Sequence, residues 1–473
     1  MKENVKKIKR INKPALAGLW YTAASIIERG SAIIFTPIYT RLLLPSEYGV
    51  YSLFVGIAGI VGVFATLEIS GGAVYRGLKE FGRDSDFIPS AIGLISLSSF
   101  TLLFLYLIFS TQINSVTNLT TSLSLLLFLQ VFFGGIRALK ISEAKFSYGR
   151  GLPMAEGIFF SLVTPALSIL FVAVLKMAVY GRIYATIISS ALFSLPILFS
   201  VVKKSRGKLY DKKIWSFLLK YSLPVLPHFL SLSLIWQIGK IIVANAFTET
   251  ETGLLSLSMS VGLLPTLLST GAHSAIIPWI TRKLGEGKDG REKIYSLLSS
   301  LFFPLCLATV LFLLICPEVF RLLASESYYG ALRGVYPIAS AVPLVFLTGI
   351  FSSEISYYKK TVFVTLGSVL GAIFNLIFNL LFTLRVGFIF SALLILPTFM
   401  VICLIYFLIL RYKFKDRELP IKRLSICFIF FLFLSFLAAF LEISLLARAV
   451  LFVAVLMLVF PRINEIKNIL REH

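Results

Sequence analysis

Charged residues that interrupt an apolar stretch are the first places where this chain could do chemistry. Arg29 and Lys240 each stand inside such a stretch. Ser25, Arg29, Ala32 and Thr36 are spaced by 4, 3 and 4 residues and so share one helix face; Ser233, Gln237, Lys240 and Ala244 repeat that spacing. Each stripe is small and polar with one cation, which fits the wall of a hydrated cavity. Such a wall suits an anionic head group, for instance a diphosphate, held by charge-assisted hydrogen bonds. A charge surrounded by hydrocarbon is costly and marks function by default. A plainer reading stands beside this one. A carboxylate on a neighbouring helix would satisfy Arg29, whose chain neighbour is Glu28, and Lys240 lies in the outer third of its stretch, within snorkelling reach of the interface.

The remaining candidates are single groups. Arg76 follows Gly71-Gly72 and either guards a cavity mouth or anchors the chain at a positively charged membrane face. Glu68 is a protonatable coupling group or a helix-end carboxylate. His273, one turn from Ser269, is hydrogen-bonded packing or a proton relay. Asn375 and Asn379 share a face, which suits hydrogen bonds between helices, with Asn375 also a coupling candidate. The prolines Pro37, Pro224, Pro227 and Pro265 are placed to bend helices that move. Cys306, Cys316, Cys403 and Cys427 show no metal-ligand spacing, and neither a metal nor a cofactor is expected. The 3 histidines and 23 acids are scattered, so no catalytic centre is expected.

These residues need helices to hold them. The chain is 58% hydrophobic and 14% charged, with a mean hydropathy of +0.90. Soluble domains carry roughly 45–50% apolar and about 25% charged residues, so a soluble class is excluded. Apolar stretches of about 20 residues recur from residue 15 to residue 460, each long enough to cross the hydrocarbon core. The alternation of a membrane barrel is absent, which predicts an all-α polytopic protein. About 14 spans are expected: 16–38, 48–68, 88–109, 121–139, 154–175, 180–202, 222–247, 253–280, 295–316, 332–352, 361–384, 386–410, 424–440 and 443–460. The first has a basic lead-in but is too long for a signal-peptide core and is expected to be retained.

Charge orients the chain. With the N-terminus in the cytoplasm and sides alternating at each span, the cytoplasmic segments hold most of the 45 Lys and Arg residues. The net charge of +22 therefore reports membrane topology, and no nucleic-acid partner is expected. Both termini are expected in the cytoplasm. Residues 203–220, with Tyr210 and Trp215, suit a short interfacial segment on an anionic leaflet.

Two short repeats divide the chain. Glu47-Tyr-Gly49-Val-Tyr-Ser52-Leu53 reappears as Glu251-Thr-Gly253-Leu-Leu-Ser256-Leu257, and Val131-Phe132 with Gly135-Ile136 reappears as Val345-Phe346 with Gly349-Ile350. Their offsets are nearly equal and their helix ranks match. This predicts two homologous six-helix lobes, 1–210 and 211–411, with an added pair of spans and a tail in 412–473.

The stretch Pro37-Ile-Tyr-Thr-Arg41-Leu-Leu-Leu-Pro45-Ser-Glu47-Tyr48-Gly49-Val-Tyr-Ser52 resembles the opening of Wzx-type polysaccharide flippases. Tyr221-Ser-Leu-Pro224-Val-Leu-Pro227-His228, continuing to Gly253-Leu-Leu-Ser256, resembles their seventh and eighth helices. The resemblance spans about the first 410 residues in layout, within the superfamily of multidrug, oligosaccharidyl-lipid and polysaccharide exporters. It implies a two-lobed transporter that is not an enzyme, sits in the inner cell membrane, and flips undecaprenyl-diphosphate-linked glycans such as O-antigen units of lipopolysaccharide. Glycosyltransferases and a polysaccharide polymerase would be its partners, and Arg29, Lys240, Ser25 and Gln237 would line its cationic cavity. Many relatives place an acid before the basic residue of helix 7, whereas this chain has Gly239.

Two alternatives remain. A cation-coupled drug exporter of the same architecture would need buried carboxylates, and few acids lie deep in these spans. A membrane-embedded polymerase or ligase would show a sizeable outer loop with Arg and His, and the outer loops here are short and lack His.

Overall fold

The computed structural model describes residues 13–82, 85–205, 208–416, 418–441 and 444–457, apart from the side chains of residues 13–17, 19, 22, 29, 32, 274, 275 and 278. The chain divides into two compact units, Met1–Leu43 with Phe54–Phe229, and Leu44–Leu53 with Leu230–His473. The described residues are helical and contain no strand.

In the first unit the chain runs through α1 (Lys13–Leu42), most of α2 (Pro45–Thr66), α3 (Ala73–Phe81), α4 (Phe87–Ile108), α5 (Ser110–Thr117), α6 (Thr121–Phe146), α7 (Gly151–Ile169), α8 (Ala178–Lys204) and α9 (Lys212–Ser222). Lipid offers no hydrophobic gain for pairing apolar helices, so small residues that allow close approach decide the packing. Gly157 of α7 is one: a Cβ there would stand 3.0 Å from the Ala24 carbonyl oxygen of α1.

The segment expected at the interface, 203–220, is largely helix. Asp211 caps α9 by accepting from the backbone N–H groups of Lys213 and Ile214. Ile214 and Leu218 are buried, and the Trp215 indole donates to the Ser90 carbonyl of α4 at 2.9 Å. Trp215 is thus a packing anchor within the unit, while Tyr210 beside it stays exposed.

The second unit holds the first turns of α2 and then α10 (Leu226–Ala246, from Leu230 onward), α11 (Glu249–Gly262), α12 (Thr266–Leu284), α13 (Lys288–Leu323), α14 (Leu332–Ser340), α15 (Val342–Tyr357), α16 (Thr361–Phe378), the single turn α17 (Leu384–Val386), α18 (Phe388–Leu408), α19 (Ile421–Phe440) and α20 (Leu445–Met457). Arg448 fastens α20 to α13. Its guanidinium reaches both oxygens of Glu318 at 2.6 Å and the Leu314 carbonyl at 2.9 Å. That fork satisfies a cation the apolar surroundings would otherwise strand.

Eleven described helices are long and apolar enough to cross a bilayer, or twelve if Glu249–Gly262 and Thr266–His273, bent by 49°, form one span. The expected fourteen is not reached. In α1 the polar residues Ser25, Glu28, Arg29, Ser31 and Thr36 dilute a helix of 30 residues. α20 is described only as far as Met457, so the span expected at 443–460 lies partly outside the described residues.

The two repeated segments meet inside the second unit. A Cβ on Gly49 would lie 2.1 Å from the Glu249 carbonyl oxygen, and one on Gly253 would lie 1.9 Å from that of Pro45. The start of α2 therefore touches the start of α11 through bare glycines, four residues apart on each side.

Candidate functional site

Lys240 lies six residues before the end of α10 with 9% of its surface exposed. Snorkelling to the interface is therefore not how it is accommodated. Its Nζ is 3.3 Å from the Ser52 hydroxyl of α2. No carboxylate among the described residues pairs with it. Gln237, one turn earlier on α10, has a buried side-chain oxygen with no donor. An ammonium with one hydroxyl partner has lost most of its hydration without compensation, and an anion would supply what is missing.

Gly239 explains why no acid precedes this lysine. A Cβ at that position would lie 1.9 Å from the Ser391 hydroxyl of α18 and 3.5 Å from the Asn379 side-chain oxygen. Even alanine would require the Ser391 hydroxyl to turn away, and a carboxylate needs more room still. Beside this contact, Asn375 and Asn379 build a buried ladder. Asn375 Nδ2 donates to Thr398 Oγ1 at 2.9 Å, Asn379 Nδ2 to Asn375 Oδ1 at 3.1 Å, and Thr383 Oγ1 to Asn379 Oδ1 at 2.9 Å. The ladder runs into a π-helical turn, Asn379–Thr383, that ends α16. It ties α16 to α18 and fixes the wall against which Gly239 packs.

The other candidates are dispersed. Arg29 is on α1, but its side chain lies outside the described residues. Ser25 and Glu28 of α1 are exposed. Arg76 is exposed on α3, with its guanidinium 4.8 Å from the centre of the Tyr221 ring. Glu68 follows the end of α2 in a left-handed conformation (φ 49°) and is half-buried, which pushes its carboxyl above the usual range. His273 faces α15, where a Cβ on Gly349 would stand 2.8 Å from its Nε2, a buried nitrogen without a partner. The structure joins Lys240 with Gln237 and Ser52; Asn375 belongs to the wall behind Gly239.

One cluster escaped the sequence reading. The Tyr295 hydroxyl of α13 lies 2.9 Å from Glu354 Oε1 of α15 and 2.6 Å from Asp416 Oδ2, just beyond α18. Glu354 is 1% exposed and Asp416 fully buried. Arg291, one turn before Tyr295, places Nε 3.7 Å from the same Asp416 oxygen. These two acids are 62 residues apart along the chain but meet in space, near helix ends rather than deep in the spans. The i,i+4 spacings Arg291–Tyr295 and Glu354–Tyr358 were visible. Asp416 was hidden in the basic run Arg411-Tyr-Lys413-Phe-Lys415-Asp416-Arg417.

A family model described as polysaccharide biosynthesis protein matches residues 17–284, more than half the chain. The chain belongs to the polysaccharide biosynthesis protein family. Solved structures of transporters and flippases share its fold. A lipid II flippase, MurJ in an inward closed conformation, matches with a TM-score of 0.71 at 15% identity, covering 94% of this chain and 97% of that one. An inward-facing multidrug resistance transporter of the MATE family matches with a TM-score of 0.65 at 17% identity, covering 85% and 98%. The Vibrio cholerae MATE transporter VcmN gives 0.53 at 14%, covering 86% and 98%. No curated protein matches the chain. Family and fold together make this a multi-pass membrane protein whose structural neighbours are transporters and flippases.

Proposed function

We propose that this family member flips undecaprenyl-diphosphate-linked oligosaccharide from the cytoplasmic to the outer leaflet by alternating access, for surface polysaccharide synthesis. Lys240 carries this reading. A buried ammonium with a single hydroxyl partner and no carboxylate is suited to an anionic group such as a diphosphate, and ill suited to a cationic drug. Arg29 of α1 joins it as the second cation of the cavity, with Ser25 and Gln237 as polar lining. The protein sits in the inner membrane with both termini in the cytoplasm. Its lobes are 1–210 and 211–411, followed by the added spans of 412–473. Glycosyltransferases and a polymerase act beside it.

The orientation has a geometric consistency. Arg291, Glu354 and Asp416 meet, so the start of α13, the end of α15 and the segment after α18 lie on one side of the membrane. Those are segments the charge pattern assigns to the cytoplasm. A second reading, a cation-coupled exporter, is favoured by the buried pair Glu354 and Asp416, since such exporters need protected carboxylates.

Purified protein in proteoliposomes with a fluorescent prenyl-diphosphate oligosaccharide separates the two. Flipping of the glycan by the wild type, lost with Lys240→Met, supports the first reading. No flipping of several glycans, together with export of organic cations under an imposed ion gradient, supports the second.

A further inference from the structure

The cluster of Tyr295, Glu354 and Asp416 has more acceptors than protons. Tyr295 has one hydroxyl proton, yet its oxygen sits within hydrogen-bond distance of two carboxyl oxygens. It can donate to one of them; the other contact needs a proton on the carboxyl. Glu354 Oε2 is buried and has no donor. Arg291 supplies one positive charge against two buried carboxylates, so the group is one charge short of neutrality. Two like charges in a shared dry site do not both ionise.

We propose that Tyr295, Glu354 and Asp416 form a binding site for a single proton, which fastens the ends of α13 and α15 to the segment that follows α18. The site is independent of the flippase reading. The groups around it are few. Arg291 faces Asp416 and is in contact with Tyr358 of α15. Asp416 Oδ1 accepts from the Glu418 backbone N–H at 3.1 Å. On the rim, exposed Lys288 lies 3.6 Å from Glu418 and 3.9 Å from Glu292. Among the described residues, nothing in this ring adds the missing positive charge at the buried oxygens. Loss of the proton leaves two carboxylates facing one guanidinium, and their repulsion loosens the three chain ends.

Infrared difference spectroscopy of the full chain in lipid nanodiscs, titrated with pH, tests this directly. The expected result is a protonated-carboxyl band that disappears as pH rises and that is lost from the spectra of both Glu354→Gln and Asp416→Asn, while any band of Glu68 stays. Tyr295→Phe keeps the carboxyls and is expected to move the midpoint without removing the band. Above the midpoint, amides of residues 411–416 and of the first turn of α13 are expected to exchange faster. Glu354→Gln, permanently neutral, abolishes that pH dependence. Titrating carboxyl bands that are the same in the wild type and in both carboxyl variants overturn the proposal. Displacement of the band by sodium at fixed pH also overturns it, since the occupant would then be a metal cation.

Discussion

Lys240→Met should make this protein more stable and less active at once. Methionine matches the length of the lysine side chain and leaves no cavity. It removes an ammonium that is 9% exposed and has one hydroxyl partner at 3.3 Å. Burying an unpaired ion costs several kcal/mol after relaxation. One charge-assisted hydrogen bond returns about 1.5–3 kcal/mol, and 3.3 Å is at its long end. The difference predicts a gain of about 1–3 kcal/mol on substitution. At about 2–4 °C per kcal/mol, the unfolding midpoint of the substrate-free protein rises by roughly 2–12 °C. Thermal unfolding in nanodiscs reads this shift, and proteoliposome flipping reads the loss of transport. A ligand-binding residue is the kind of site where stability is given up for function. If Lys240→Met lowers the midpoint and leaves flipping intact, Lys240 is a structural residue held by contacts, and the cationic-site argument fails.

Two further predictions come from other parts of the fold. Gly239→Asp is expected to destabilise by about 1–3 kcal/mol because its Cβ would stand 1.9 Å from the Ser391 hydroxyl. Adding Ser391→Gly recovers part of the loss in the same unfolding assay; no difference between wild type and Gly239→Asp would remove the steric account of this position. Burial raises the Glu68 carboxyl above its unfolded value, so the folded state binds that proton more tightly than the unfolded chain does. Stability should therefore fall as pH rises from the ordinary carboxylate value through the raised one, then level off. Glu68→Gln flattens that segment of the unfolding-midpoint profile, and an unchanged profile would mean the carboxyl does not titrate there.

The helices were legible because hydrocarbon imposes length and polarity on each span, and these can be counted along the chain. Even so, α1 shows where counting fails: the polar residues around Glu28 and Arg29 leave it outside a length-and-apolarity test. Lys240 was legible for the same reason, as a charge amid apolar neighbours. What it faces was not, since Ser52 is 188 residues away. The Tyr295, Glu354 and Asp416 cluster was illegible on different grounds. Each of its members sits near a helix end, where a polar residue is unremarkable, and only three-dimensional packing shows that they are dry and share a shortage of protons.

The repeats gain physical content from the same packing. A short sequence match between residues 47–53 and 251–257 is weak by itself, because glycine, serine and leucine are common. The contact between them is reciprocal: Gly49 approaches the carbonyl of Glu249, and Gly253 approaches that of Pro45, each oxygen four residues before the opposite glycine. A local two-fold relation between the starts of α2 and α11 produces that reciprocity, and unrelated helices would have no reason to show it. Each of these two glycines sits where any side chain would force two backbones apart.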